Sequence, residues 1–141
     1  MKANPLRDLS LAFAAGCVGG LINSLALWLA GTAGLTLALG VKLAPSLTPA
    51  WLYPRLVWGG LWGLLFLLPS SFRSLGRRSL LYSLAPSVVQ LLVVFPLKGQ
   101  GLGGLQLGAL TPAVVLVVNA VWGLATAAWL RRIQVKSTSR R

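Results

Sequence analysis

The side chains able to do chemistry in this sequence are few, and most are neutral. Polar residues set within long apolar runs include Asn23, Ser24, Ser83, Ser87, Gln90, Asn119 and Thr126. Helical spacing puts Ser83, Ser87 and Gln90 on one face beside Pro86, whose missing N–H frees the carbonyl of Tyr82. Hydroxyl, amide and carbonyl groups then meet at one place, and Asn23 or Asn119 would complete a polar pocket. Such a pocket would suit a small solute or a hydrophilic path. Hydrogen bonding between helices, worth ~1 kcal/mol or less per contact in lipid, is the plainer expectation. A second set is cationic. Lys42, Arg55 and Lys98 are expected on one side of a membrane, where the sequence offers no acid, and would suit an anion or a lipid headgroup. Trp51, Arg55, Trp58 and Trp62 recur at helical spacing, so the guanidinium could stack on an indole and reach lipid phosphate. An ordinary interfacial anchor with a snorkelling Arg55 is the plainer reading here too.

The rest of the inventory is negative. There is no histidine, a single acid (Asp8) and a single cysteine (Cys17) inside an apolar run. Acid–base pairs, nucleophilic triads and multi-ligand metal sites need several such groups, so an enzyme, a metal site and a cofactor are not expected. Cys17 reads as a small packing residue, and no intramolecular disulfide can form. The glycine-rich stretch at 99–108 lacks the Lys-Ser/Thr ending and the preceding strand of a phosphate-binding loop. Proton-coupled transport normally uses an ionisable group within the membrane, and Asp8 is expected at its edge.

Positioning these residues falls to four apolar runs, about 9–30, 51–68, 79–97 and 110–130, each near the ~20 residues that cross a hydrocarbon core. The chain of 141 residues is 56% hydrophobic, more than a soluble domain so small can bury. The expected fold is an all-α integral membrane protein, a single domain over 1–141 built as a four-transmembrane-helix bundle. The first run is longer than a signal-peptide core, so it is expected to remain as a span. The segment 31–47 is broken by Gly34, Gly40 and Pro45, which suits a short outer interfacial or re-entrant segment at about 36–43. The loop 99–109 carries five glycines and is expected to be flexible, with little structure of its own.

Net charge is +12. The cations lie between the apolar runs rather than on a soluble surface, so nucleic acid is not the expected partner. Lys2 and Arg7, then Arg73, Arg77 and Arg78, then the tail 131–141 with Arg131, Arg132, Lys136, Arg140 and Arg141 hold most of them. The positive-inside rule therefore puts both termini in the cytoplasm. The tail could also hold anionic lipid. In size and hydropathy the chain resembles small multi-span proteins of bacterial membranes, which implies the cell inner membrane.

Leu-Thr-Pro-Ala occurs at 47–50 and again at 110–113, each time before a run that carries Trp-Gly. Thr48 and Thr111 would cap these helices, with Pro49 and Pro112 in the first turn. The preceding runs echo each other when Asn23 is matched with Gln90. Two similar two-helix hairpins would account for this. Small residues at spacing four form ridges: Ala12, Gly16, Gly20 and Ser24; Gly59 and Gly63; and Asn119, Gly123 and Ala127. In lipid such ridges bring helices together, either within one chain or between copies. The expected function is a non-catalytic accessory, assembly or structural component of a membrane complex. Its partners would be the bilayer, anionic lipids, and either other membrane proteins or a homo-oligomer. The alternative is a small homo-oligomeric channel or passive carrier.

Overall fold

The computed structural model describes residues 4–138, and the side chains of 4–133. Of the basic residues expected to mark the inner side, Lys2, Arg140 and Arg141, and the side chain of Lys136, lie outside the described residues. The described residues are helices and loops, with no strand among them.

The first helix, α1, runs Pro5–Thr32. Asn4 caps it, its side-chain oxygen accepting the Arg7 N–H at 3.2 Å, and Pro5 occupies a position where a missing N–H costs nothing. Gly34, at φ 77°, turns the chain into α2 (Leu35–Ala38), a single turn where a short interfacial segment was expected. An extended stretch then leads to α3 (Pro49–Gly63), where Thr48 caps by accepting the Trp51 N–H at 3.3 Å. The expected span 51–68 is not one α-helix. It tightens into a 3₁₀ turn at Leu64–Leu67.

The next helix, α4 (Leu75–Val89), continues through a π turn at Gln90–Val94 into α5 (Phe95–Leu97). Pro96 cannot donate to the carbonyl one turn back, and the wide turn lies where that bond is lost. The glycine loop is more structured than its composition predicts. Leu102–Leu107 forms 3₁₀ turns, with Gly103 and Gly104 at positive φ and Gly104 pressed against Phe95. The last helix, α6, runs Thr111–Thr138. Thr48 caps its helix as expected but Thr111 does not: its hydroxyl is fully buried without a hydrogen-bond partner among the described residues.

Three stretches are long and apolar enough to cross a membrane: Pro5–Thr32, Leu75–Leu97 and Thr111–Ile133. Neighbouring helices run antiparallel, in the packing order α3, α1, α6, α4. At the end nearest both chain termini, Phe66 meets Tyr82 and Trp122 edge-on, with ring centres 5.3 and 6.1 Å apart. Beside them the Arg78 Nη2 donates to the carbonyls of Phe66 and Leu68, and its Nε donates to the Tyr82 hydroxyl. A cation on the last carbonyls of a helix satisfies groups that the helix itself leaves unpaired.

Candidate functional site

Close backbone contact between helices sets up the site. A side chain on Gly16 would strike the Gly59 carbonyl, and one on Gly63 would come 2.8 Å from the Gly16 Cα. One on Gly20 would lie 2.8 Å from the carbonyl oxygen of Arg55. The ridge Ala12, Gly16 and Gly20 is therefore spent on Gly59 and Gly63 of the same chain, not left open for a second copy. On the next face, Gly19 lets α6 approach at Trp122 and Thr126, and the Trp122 Nε1 donates to the Gly16 carbonyl at 3.2 Å. Gly123 does the same for α4, where a Cβ would come 2.6 Å from the Ser79 carbonyl.

With the helices this close, short polar side chains can bridge them. The Cβ of Arg55 tilts toward the start of α3, so its side chain runs back beside Trp51, with the guanidinium carbon 4.7 Å from the ring centre. Its Nε donates to Ser24 Oγ at 2.9 Å, and its Nη2 donates to Asn23 Oδ1 at 2.7 Å. The Asn23 amide donates to the Val118 carbonyl at 2.8 Å and to Asn119 Oδ1 at 3.2 Å. The Asn119 amide donates to Ser87 Oγ at 3.0 Å, and Ser87 donates to the Ser83 carbonyl at 2.8 Å. The chain of bonds thus crosses from α3 through α1 and α6 to α4.

Its polarity has one origin. Arginine only donates, so Asn23 must turn its carbonyl to Arg55 and its amide onward, and Asn119 repeats the choice. Aligned in this way, each dipole strengthens the next. Asn23, Ser24 and Ser87 are buried, while Arg55 and Asn119 are half-buried.

The two sets of chemical candidates are therefore joined differently from the pattern read in the sequence. Arg55 belongs with the polar set. Lys42 and Lys98 are exposed on separate loops and take no part in its hydrogen bonds. Ser83 contributes its carbonyl, because its hydroxyl turns back to Leu80. Gln90 opens the π turn, half-buried and outside the chain of bonds.

The repeat also shifts by a helical turn. Arg55 donates to Ser24 as Asn119 donates to Ser87, each three residues before a Trp-Gly. Ser24 therefore matches Ser87, instead of Asn23 matching Gln90. The hydrogen bonds of Arg78, the aromatic cluster and the role of Gly19 were not legible as site features. A cation shortly before an apolar run looks the same whether it marks topology or caps a neighbouring helix.

No group of three or more His, Cys, Asp or Glu side chains able to hold a metal occurs among the described residues. Comparison with protein-family models, with curated proteins and with solved structures finds no match.

Proposed function

We propose that this chain is a four-span, non-catalytic component of a membrane complex, and that Arg55 pairs with an acidic side chain of a partner subunit. One observation carries the reading. The Arg55 guanidinium is held by neutral groups alone, Ser24 and Asn23, so its charge is uncompensated by them. A cation within a span is costly to leave uncompensated, and is ordinarily paired. The chain's one acid, Asp8, sits at the other end of α1, about 22 Å away at about 1.5 Å rise per residue. This isolation of Arg55 from Asp8 supports a counter-charge supplied from outside the chain.

The fourth span in this reading is α3 with its 3₁₀ extension. At about 1.5 and 2.0 Å per residue, Pro49–Leu67 reaches about 30 Å, the thickness of a hydrocarbon core. The distribution of cations supports cytoplasmic termini, in a bacterial inner membrane. Asn23, Ser24, Asn119 and Ser87 are spent on one another, on Arg55 and on backbone carbonyls, which supports a tied structural unit over a solute path.

The test is purification of the full chain in mild detergent, followed by mass measurement and identification of what accompanies it. The wild type and Arg55→Lys should retain a stoichiometric partner that carries an intramembrane acid, and Arg55→Gln should lose it while still inserting. A wild type that purifies without a partner, or an Arg55→Gln variant that keeps it, overturns the reading.

A further inference from the structure

At the end of the molecule bearing both termini, the four long segments leave a cavity of about 620 Å³. The start of α1, the 3₁₀ turn Leu64–Leu67 with the residues just after it, α4 and the end of α6 all contribute to it. Among the described residues its walls carry two cations, Arg7 and Arg78, and the one acidic side chain of the sequence, Asp8. Between them lie apolar side chains, among them Leu11, Phe66 and Leu130. Arg78 commits its Nε and Nη2 to Tyr82, Phe66 and Leu68, which fixes the guanidinium in place and leaves Nη1 to a ligand.

We infer that this cavity binds the headgroup of one zwitterionic phospholipid bearing a primary amine, with the phosphate between Arg7 and Arg78 and the ammonium on Asp8. The volume falls within the range of ligand pockets, about 300–1,000 Å³. A free polar solute would leave the leucine and phenylalanine walls without a partner, whereas the glycerol and upper acyl carbons of a lipid cover them. An anionic headgroup would satisfy the arginines but offer Asp8 no cation, only a neutral hydroxyl or a second negative charge. The acid is what selects: in a protein of net charge +12, it lies on the same walls as two cations. Opposite charges on the walls of one cavity suit a headgroup that carries both a phosphate and an ammonium. Charge-assisted hydrogen bonds to each are the strong kind.

The experiment is native mass spectrometry of the full chain in detergent, titrated with phosphatidylethanolamine, phosphatidylcholine and phosphatidylglycerol of identical acyl chains. The wild type should retain one phosphatidylethanolamine at about tenfold lower concentration than either of the others. Trimethylation of the amine removes its N–H donors, so the comparison with phosphatidylcholine tests the Asp8 contact without altering the protein. Asp8→Asn should erase the preference while leaving phosphatidylglycerol binding unchanged or tighter, and Arg7→Gln should weaken all three lipids together. Equal retention of the three lipids by the wild type, a preference for phosphatidylglycerol, or a preference that survives Asp8→Asn overturns the inference.

Discussion

Asn23 is the residue on which the polar chain turns, because it alone both accepts from Arg55 and donates to α6. Replacing it with alanine leaves the Arg55 Nη2, the Val118 carbonyl and the Asn119 carbonyl each short of a partner. Buried groups left unsatisfied cost about 1–3 kcal/mol. Asn23→Ala should therefore lower the thermal midpoint in detergent by several degrees, more than Asn119→Ala, which strands fewer groups. A double-mutant cycle between the two measures their coupling, for which about 0.6 kcal/mol is typical within membranes. Strict additivity would mean that the two amides act separately and that the alignment of dipoles contributes nothing.

Among the helices, the contact of α1 with α3 is the least able to give way. A Cβ on Gly59 would lie 2.8 Å from the Gly16 carbonyl oxygen and 3.0 Å from the Gly20 Cα, both backbone atoms. Gly59→Ala must push the two helices apart, which also draws Arg55 away from Ser24. Gly99, by contrast, has open space around it and only its φ of 70° to defend, at a cost of roughly 1–2 kcal/mol. The expected ranking by unfolding midpoint and by yield is a severe loss for Gly59→Ala and a mild one for Gly99→Ala. The reverse ranking would show that the loop, not the helix contact, limits stability. For the same reason, leucine at both Gly16 and Gly20 should cause misfolding or degradation. A well-folded double variant that merely dissociates would contradict the intramolecular contact.

At the scale of the whole molecule, four spans require that α3 cross the membrane. Its α-helical part is only 15 residues, and the rest of its reach comes from the 3₁₀ turn that Arg78 holds from below. Reporter fusions at Pro45 and at Ser74 decide the matter. Opposite sides, with Ser74 cytoplasmic, are expected for four spans, and the same side at both points would reduce the protein to three. Arg78→Gln should loosen this end of the bundle, because it strips donors from two carbonyls at the end of the helix. The measurable consequence is faster amide exchange at Leu67 and Leu68, with little change around Asn119, whose partners are Asn23 on α1 and, on α4, Ser87, more than two helical turns from Arg78.

Composition and order along the chain were enough to mark an apolar, all-helical protein. They also marked the positions of its long helices, the Thr48 cap, and the small residues that bring helices together. These are local properties, fixed by side-chain volume, hydropathy and the intrinsic preferences of proline, glycine and threonine. Which way each helix faces is not local. The sequence placed Arg55 among aromatic residues at an interface, and only the depth of the Gly16–Gly59 and Gly20–Arg55 contacts rotates α3 so that the guanidinium meets Ser24 and Asn23. The convergence of Arg7, Asp8 and Arg78 on one cavity was likewise hidden, because those residues come from two helices far apart in sequence. A hydrogen bond reaches about 3 Å and demands orientation, so partnerships are decided by rotations of a few tens of degrees about a helix axis. Hydropathy cannot carry that information, and the packing of four helices against one another does.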